Sequence, residues 1–262
     1  MPDSRQRFSA VAAAYHRFRP TYPAAVMDWI LATTGARPGT RAADLGCGTG
    51  IFSRLLAARG LRVTGVEPNP EMLALARDAG GGPTYAAGEA VRTGLADASV
   101  DLVTAAQAFH WFPLEATLAE LARILVPGGW AAAVWNLRVS SPFNDEYEEL
   151  LAHHSSEYAA NRALSDLHHD PRSRIARLPG TVATELPSDE LLRWDEVIGR
   201  VRSASYVAHG VADRVGLERA VREAYERHRR ADGTLVWAMR TVVIAWAGSP
   251  PAPAPMGQAG AW

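Results

Sequence analysis

The sequence predicts an α/β fold built on a doubly wound, mostly parallel β-sheet. Three observations support this prediction. Between Arg41 and Asn136, short apolar runs alternate with stretches of helical periodicity. The connections between them are short and rich in Gly, Pro and Asn, which favour tight turns. The chain of 262 residues is long enough to bury a full core as one domain, with or without an insertion.

The first strand-to-helix unit contains the most informative motif. The sequence D-L-G-C-G-T-G covers residues 44–50, after a short strand and before a helix predicted at 51–59. Glycine permits a tight turn, and at Gly46, Gly48 and Gly50 it lets a ligand lie against the backbone without meeting a Cβ atom. The N–H groups at the start of the helix favour an electron-rich group.

Two carboxylates indicate which ligand this turn suits. A dinucleotide turn has the spacing G-x-G-x-x-G, but here the spacing is G-x-G-x-G and Ile51 stands where the third glycine belongs. Asp44, at the end of the first strand, would repel a pyrophosphate but suits a cationic amine. Glu67 ends the next apolar run, where a carboxylate can accept hydrogen bonds from both hydroxyls of a ribose. Amine, ribose and no phosphate together describe S-adenosylmethionine.

The other elements of the sheet follow in order. Asn69 fits a helix N-cap and Pro70 fits the first helical position, so a helix begins near Glu71. Residues 114–126 have helical spacing, and the turn at 127–129 leads into the fifth strand. The predicted strands are 41–45, 61–67, 84–87, 99–106, 130–135, 181–186 and 234–246.

The segments outside these β-α units divide the chain further. Residues 1–137 are predicted to form the cofactor-binding core, with an N-terminal lid made of helices at 4–18 and 24–33. Residues 138–232 are predicted to form a mostly helical cap over the acceptor pocket, with helices at 146–158, 190–203 and 215–228 and the strand at 181–186. Residues 233–248 hold the final strand. The Pro-, Ala- and Gly-rich residues 249–262 are expected to be disordered.

Four motifs in order resemble those of class I S-adenosylmethionine-dependent methyltransferases: D-L-G-C-G-T-G, V-T-G-V-E-P-N-P-E-M, S-V-D-L-V and L-V-P-G-G-W. The pattern is similar to methyltransferase type 11. Within that group, R-P-T-Y-P and Q-A-F-H-W-F resemble small-molecule enzymes related to trans-aconitate methyltransferase. The resemblance is dense over residues 8–136, weak over 137–233 and faint at the C-terminus.

The resemblance implies a fold and an activity. The fold is a Rossmann-like, seven-stranded sheet whose last hairpin is antiparallel. The activity is transfer of a methyl group from S-adenosylmethionine to an O-, N- or C-nucleophile of a small molecule. The product of the cofactor is then S-adenosylhomocysteine. The high Ala and Arg content suggests a GC-rich genome, where small-molecule methylation is often associated with specialised metabolism.

The resemblance and the strand positions together give candidate cofactor residues. In the predicted lid, Tyr15 and Arg19 would reach the methionine carboxylate, because a guanidinium is planar and bidentate; a two-helix packing layer is the alternative. Met72 is near enough to a strand tip to touch adenine, unless it is ordinary core. In the family an acid or amide near Glu89 meets the adenine amino group, whereas a solvated loop carboxylate is the alternative. The full set is Tyr15, Arg19, Asp44, Gly46, Gly48, Gly50, Glu67, Pro68, Met72, Glu89 and Gln107.

The segment after the fourth strand gives candidates for the acceptor site, because parallel sheets bind ligands beyond the carboxyl ends of their strands. His110 is the candidate general base if the acceptor needs one, and a structural histidine bonded to backbone is the alternative. Trp111 and Phe112 either line a pocket or pack helix against sheet, and packing is favoured for Phe112. The predicted substrate residues are Phe109, His110, Trp111 and Asn136.

Composition narrows the function classes. The 27 basic residues, all of them Arg, nearly balance the 28 Asp and Glu residues without forming a basic block, which argues against a nucleic-acid partner. No run is apolar enough to span a bilayer and no signal core follows Met1, so a cytoplasmic protein without a membrane partner is expected. With one cysteine, and with the histidine pairs 153–154 and 168–169 lacking the spacing of a ligand set, no metal is expected. The sequence makes no prediction of oligomeric state.

Three other functions stay open. An NAD(P)-dependent oxidoreductase would use the glycine turn for a dinucleotide, but Asp44 and the missing third glycine disfavour it. A non-catalytic S-adenosylmethionine-binding protein should lack an acceptor pocket, and the aromatic segment after the fourth strand argues the other way. A macromolecule-modifying methyltransferase would share the core, but the charge balance and the predicted cap favour a small acceptor.

Overall fold

The computed structural model describes residues 21–155, 158, 175, 176, 178, 180–204, 207 and 210–248. The predicted helix at 4–18 and the predicted disordered tail at 249–262 lie outside the described residues. Nine strands occur within the described part of the chain. They are β1 (Arg41–Leu45), β2 (Arg62–Glu67), β3 (Thr84–Ala87), β4 (Val100–Ala106), β5 (Leu125–Arg138), β6 (Val182–Pro187), β7 (Glu190–Leu192), β8 (Leu235–Trp237) and β9 (Met239–Ala247).

Seven of the described strands form one sheet in the order β3-β2-β1-β4-β5-β9-β6, and β7 pairs with β8 in a separate small sheet. Strands β1 to β5 pair in parallel, whereas β9 is antiparallel to both β5 and β6. The strand order reverses between β1 and β4, so their carboxyl ends diverge into a crevice where ligands of such sheets bind.

Helices cover both faces of the large sheet. They are α1 (Ala24–Thr34), α2 (Ile51–Ala58), α3 (Pro70–Asp78), α4 (Leu114–Ile124), α5 (Pro142–His154), α6 (Trp194–Ser203) and α7 (Arg214–His228). Successive strand residues point to opposite faces. On β1, Ala42 packs with α1 and α2, while Ala43 packs with α4 on the other face.

The cap has a hydrophobic core of its own. Helices α5, α6 and α7 and the small sheet bury a common cluster that includes Tyr147, Leu217 and Trp237. The cap is tied to the large sheet by Asn144, whose Nδ2 donates to the carbonyl oxygens of Val139 and Ala238, both at 2.7 Å. None of the described helices has the length and apolarity that a membrane span requires.

The predicted mostly parallel, seven-stranded sheet is confirmed, including its antiparallel members. The strand at 84–87 is found with its predicted bounds. Asn69 caps α3 by accepting hydrogen bonds from two backbone N–H groups, and Pro70 is the first helical residue, as predicted. The two antiparallel strands β6 and β9 are not a hairpin of consecutive strands, because the cap elements lie between them in the chain.

Two predictions in the later half were wrong. The single strand predicted at 234–246 is broken at Ala238, whose carbonyl accepts hydrogen bonds from Asn144 and Val139 instead of joining the ladder. The predicted helix at 190–203 begins only at Trp194, where the Glu196 side chain accepts a hydrogen bond from the Arg193 N–H at 2.7 Å. In both cases a continuous apolar pattern runs through the break, so periodicity alone does not reveal it.

Candidate active site

A cavity of about 340 Å³ opens at the carboxyl ends of the parallel strands. Its wall combines the tips of β1, β2, β4 and β5 with the chain around residues 89–91. No described residue of the cap lines it, so the predicted closure of the pocket by the cap is not seen in the described part of the chain. The lining residues are Tyr22, Asp44, Gly46, Cys47, Gly48, Thr49, Ile51, Phe52, Glu67, Pro68, Asn69, Met72, Glu89, Ala90, Val91, Ala106, Gln107, Ala108, Trp111, Phe112, Pro113 and Asn136.

The three predicted glycines have different surroundings. All three have positive φ values, which glycine adopts without strain. A Cβ atom at Gly46 would lie 2.7 Å from the Cβ of Ala108, and one at Gly50 would collide with the hydroxyl of Tyr85. A Cβ at Gly48 would meet no atom within 4 Å. Gly46 and Gly50 therefore allow close packing, while Gly48 leaves open space beside the cavity.

Asp44 is a buried carboxylate in the cavity wall, only 1% exposed. Its Oδ2 accepts a hydrogen bond from the Ser53 hydroxyl at 2.6 Å, and its Oδ1 accepts one from the Thr104 hydroxyl at 2.9 Å. Burial raises the pKa of Asp44 to about 6, the two hydroxyl groups oppose that rise, and the nearby charge of Glu67 adds to it. A cation in the cavity would stabilise the ionised form of Asp44.

Glu67 ends β2 and is fixed by backbone groups. Its Oε2 accepts a hydrogen bond from the Gly48 N–H and its Oε1 accepts one from the Asn69 N–H, both at 2.9 Å. Burial raises the pKa of the Glu67 carboxyl, and the two backbone N–H groups oppose that rise. Each oxygen of an ionised carboxylate can accept more than one hydrogen bond. Glu67 can therefore hold the glycine turn and still accept hydrogen bonds from a ligand.

Three further predicted cofactor residues also line this end of the cavity. Met72 is buried on α3, Pro68 is exposed at the tip of β2, and Glu89 lies beyond β3. They come together with Asp44 and Glu67 because consecutive parallel strands end at the same edge of the sheet.

In the connection after β4, some side chains line the cavity and others pack in the hydrophobic core. Gln107 lines the cavity in the left-handed region, with φ +56°. Trp111 lines the cavity with 45% of its surface exposed. Phe112 packs against the core, as the sequence favoured, and lines the cavity as well. Phe109, a predicted substrate residue, packs instead in the core, with its ring 5.6 Å from that of Trp246.

His110, the candidate general base, is exposed but does not line the cavity. Its Nδ1 lies 3.3 Å from Nε1 of Trp135. An indole N–H can only donate, so Nδ1 must be the acceptor and the neutral ring carries its proton on Nε2. His110 would have to break this bond to take up a proton, so the geometry gives no support to the predicted base.

Asn136, at the carboxyl end of β5, does line the cavity. Its Nδ2 donates to the carbonyl oxygen of Thr21 at 3.2 Å, and its Oδ1 accepts from the Thr241 hydroxyl at 2.6 Å. Its backbone carbonyl accepts from Nε2 of Gln107 at 3.0 Å. The predicted residues Gln107 and Asn136 are thus joined directly.

The sequence did not single out several residues of this site. Ser53 and Thr104, the partners of Asp44, belong to α2 and β4, and Thr104 faces Asp44 across the β1–β4 pairing. A threonine inside an apolar strand pattern is the signal that could have pointed to it. Tyr22 and Thr49 line the cavity as well, and no spacing marks them.

Some predicted residues fall outside this account. Tyr15, Arg19, His168 and His169 lie outside the described residues. His153 and His154 lie in the last turn of α5, away from the cavity wall. In the described part of the chain, no three His, Cys, Asp or Glu side chains are grouped so that they could hold a metal ion.

Comparison with known proteins identifies the same region. A family model described as "Methyltransferase domain" matches residues 43–133. An uncharacterized methyltransferase of Mycobacterium tuberculosis is 41% identical over 136 residues, which are 52% of this chain and 54% of that protein. A malonyl-[acyl-carrier protein] O-methyltransferase of Serratia marcescens is 38% identical over 127 residues, 46% of this chain and 50% of that protein.

A trans-aconitate 2-methyltransferase of Mycobacterium ulcerans is 34% identical over 125 residues, 47% of this chain and 44% of that protein. The chain spans about half the length of the curated relatives it matches. A solved structure from Anaeromyxobacter dehalogenans, described as a candidate type II methyltransferase, is 30% identical with a TM-score of 0.65. That match covers 89% of this chain and 99% of the other. The motifs, the sheet order and these matches agree: the chain belongs to the class I S-adenosylmethionine-dependent methyltransferases.

Proposed function

We propose that this protein transfers a methyl group from S-adenosylmethionine to a small-molecule acceptor. The observation that carries the proposal is the arrangement at the tips of β1 and β2. The buried carboxylates Asp44 and Glu67 line one cavity with Gly48, whose N–H is bonded to Glu67. Two carboxylates favour an amine and a pair of hydroxyl groups, and they disfavour a phosphate.

The shape of the site fits this cofactor. The cavity volume of about 340 Å³ lies in the usual range for small-ligand pockets, roughly 300–1,000 Å³. The open space at Gly48 would let an adenosine or methionine group approach the backbone. Met72 offers a polarizable side chain beside the tip of β2, where a purine would lie against it.

The hydrogen-bonding groups of the site also fit. Glu67 has acceptor capacity left for the two ribose hydroxyls, and its carboxylate is already oriented by two backbone N–H groups. The Thr49 hydroxyl oxygen is buried in the cavity wall and has no hydrogen-bond partner among the described residues. A polar group buried in this way suits a ligand that supplies a partner. Asp44 would face the amine.

When bound, S-adenosylmethionine would supply a methyl group activated by a positively charged sulfur. The protein's residues would bind and orient the two reactants and keep water away. Such positioning can contribute roughly 7–11 kcal/mol of barrier lowering. Trp111, Phe112 and Tyr22 form an apolar part of the wall that would serve this purpose.

Proton transfer depends on the acceptor. A carboxylate or a neutral amine has a lone pair ready for methylation, whereas a hydroxyl or a carbon benefits from a base. His110 was the candidate base, and its Nδ1 is engaged with Trp135. We therefore favour chemistry in which His110 removes no proton.

Titration calorimetry with S-adenosylhomocysteine tests the proposal directly. We expect the wild-type protein to bind it, and Glu67→Gln to weaken binding at least tenfold, because each lost charge-assisted hydrogen bond contributes about 1.5–3 kcal/mol. Glu185→Gln, on the exposed edge strand β6, is the matched control and should bind like the wild type. Absence of binding by the wild-type protein would refute the cofactor assignment.

A second measurement separates this function from its alternatives. The protein as purified is analysed by absorbance and mass spectrometry for a bound nicotinamide or nucleoside. A labelled-methyl assay with carboxylates, phenols, amines and indoles then identifies the acceptor class. Bound NAD(P) would favour an oxidoreductase, and binding of S-adenosylhomocysteine without transfer to any acceptor would favour a non-catalytic role.

A further inference from the structure

The side-chain amide of Asn136 is held in one orientation. Its Nδ2 faces the carbonyl oxygen of Thr21 at 3.2 Å, and a carbonyl oxygen can only accept a hydrogen bond. The NH₂ group must therefore be the end that faces Thr21. The other end, Oδ1, accepts the hydroxyl proton of Thr241 at 2.6 Å. An Asn136 held in this way keeps a second N–H for another partner.

Thr241 is well placed to set this orientation. It lies on β9, directly opposite Asn136 in the antiparallel pairing with β5, and it is fully buried. It does not line the cavity itself. Its hydroxyl therefore acts on the cavity through Asn136.

Gln107 completes a pair of amides at the wall. Its backbone N–H donates to the carbonyl oxygen of Val134 at 2.8 Å, and its Nε2 donates to the backbone carbonyl oxygen of Asn136 at 3.0 Å. That carbonyl can only accept, so Oε1 is the opposite end of the amide and has no donor among the described residues. A non-glycine residue at φ +56° is strained, and such strain is concentrated at functional sites.

The charges of the cavity wall indicate what this pair can bind. Among the described residues that line the cavity, Asp44, Glu67 and Glu89 are acidic and none is Lys, Arg or His. The acidic residues lie at the β1 and β2 tips and beyond β3, while Gln107 and Asn136, at the β4 and β5 tips, are uncharged. The carboxylates would repel an anionic acceptor, and the described lining residues offer no cationic side chain to pair with it, so only the sulfonium of the cofactor would offset the repulsion. The wall formed by Trp111 and Phe112 suits an aromatic or apolar body.

We propose that Gln107 and Asn136 form the acceptor subsite, and that it takes an uncharged molecule carrying both a hydrogen-bond donor and a hydrogen-bond acceptor. Thr241 is the positioning residue of this subsite, because it holds the amide of Asn136. This inference rests on the proposed methyltransferase function. An uncharged acceptor would differ in charge from trans-aconitate, the polycarboxylate for which one relative is named.

The test uses a matched pair of ring compounds, benzamide and benzoate, with the protein saturated by S-adenosylhomocysteine. Calorimetry first measures binding of S-adenosylhomocysteine, and its absence would overturn the proposed function itself. Ligand-observed NMR titration then measures the two probes. We expect benzamide to bind about tenfold more tightly than benzoate, because an unpaired buried charge or a missing hydrogen bond costs at least this much. Equal or tighter binding of benzoate, or no binding of benzamide at millimolar concentration, would overturn the inference alone.

Thr241 is tested by isosteric substitution. Thr241→Val keeps the buried shape and the β-branch but removes the hydroxyl, so benzamide should bind about tenfold more weakly while affinity for S-adenosylhomocysteine stays unchanged. Thr241→Ser should restore benzamide binding, which a purely structural role of the side chain would not require. Thr84→Val, at an exposed hydroxyl on β3, is the control. Unchanged benzamide binding in Thr241→Val would remove Thr241 from the subsite.

Discussion

Burial of Asp44 lowers the stability of the unliganded protein when the carboxyl is ionised, but the ionised form would favour binding of a cation. Its carboxylate is buried with two hydroxyl partners, and burial raises its pKa to about 6. A cationic ligand would offset the unfavourable free energy of burying the charge, because it favours the ionised form. In the proposed complex, Asp44 would therefore contribute to selectivity for a positively charged ligand.

Affinity for S-adenosylmethionine should therefore depend on pH through Asp44. As the pH falls from about 7.5 to about 5, Asp44 takes up a proton and affinity should fall by up to tenfold per pH unit below about 6. Asp44→Asn should bind weakly and with a shallower profile, because the contribution of Glu67, whose pKa burial also raises, remains. Calorimetry across this range measures both, and a profile in the wild type as flat as in the variant would contradict the role.

Stability of the unliganded protein should change with the opposite sign. Folded Asp44 holds its proton more tightly than the unfolded chain does, so the free energy of unfolding falls as the pH rises from about 4 through about 6. The shift from 3.8 to about 6 corresponds to about 3 kcal/mol lost by neutral pH. Urea unfolding of wild type and Asp44→Asn at both ends of this window shows whether the slope belongs to Asp44.

The absence of a side chain at Gly48 should be essential for ligand binding and not for packing of the fold. Gly48→Val would place a side chain in the open space of the cavity and should abolish detectable binding of S-adenosylhomocysteine. Gly80→Val is the matched control, because Gly80 has nearly the same φ, +58° against +55°, and the same open surroundings, but lies off the cavity. Both variants should lose about 1–2 kcal/mol of stability through backbone strain. Calorimetry and thermal unfolding separate the two effects, and tight binding by Gly48→Val would refute the site.

His110 should contribute little to the chemical step. Because Nδ1 accepts from Trp135, we expect His110→Ala to keep kcat within about threefold of wild type, less than the 10²–10⁴-fold typical for loss of a general base. The labelled-methyl assay at saturating acceptor measures it. A loss of a hundredfold or more would restore the general base that the sequence suggested.

At the scale of elements, the site depends on how helices and strands end. Asn69 caps α3 with its side chain and, through its own N–H, fixes Glu67. One residue therefore links the start of α3 to the position of a carboxylate that lines the cavity. Gln107 has a comparable position after β4, where its strained backbone turns the chain across the cavity.

Capping at Asn69 and at Ser141 should differ in its effect on binding. Asn69→Ala and Ser141→Ala each remove an N-cap and should cost about 1 kcal/mol of stability. Only Asn69→Ala should also weaken binding of S-adenosylhomocysteine, because the lost cap holds in place the backbone N–H that donates to Glu67. Ser141 starts a cap helix away from the cavity. Thermal unfolding and calorimetry on both variants make the comparison. Equal affinities would mean that the helix start does not position Glu67.

At the scale of the whole molecule, the described chain has two kinds of core. The large sheet buries apolar residues on both faces, and the cap buries a separate cluster around Trp237. The cavity belongs to the sheet, and no described cap residue lines it. The cap can therefore be weakened without direct damage to the candidate cofactor site.

Two fully buried leucines test this separation. Leu217→Ala in the cap and Leu56→Ala on α2, the helix that follows the glycine turn, should each cost about 2–5 kcal/mol of stability. Hydrogen exchange should rise mainly in α5 to α7 for Leu217→Ala, with affinity for S-adenosylhomocysteine unchanged. For Leu56→Ala the affinity should fall as well. Equal loss of affinity in both variants would show that the cap and the site form one cooperative unit.

Local sequence signals predicted the order of the β-α units, the glycine turn with its two carboxylates, and the start of α3. These features depend on local rules: glycine at positive φ, apolar periodicity and helix capping act within a few residues. Strand bounds at β1 and β3 could be predicted for the same reason.

The contacts between side chains that are distant in the sequence became visible in the folded structure. It joined Ser53 and Thr104 to Asp44, tied His110 to Trp135 and placed Phe109 in the core. In the folded chain the last predicted strand is interrupted at Ala238. Thr241 contacts Asn136, which lies 105 residues earlier in the sequence. These contacts depend on register and packing between distant strands, and hydrophobic patterns record only which side of a strand is buried, not what lies beside it.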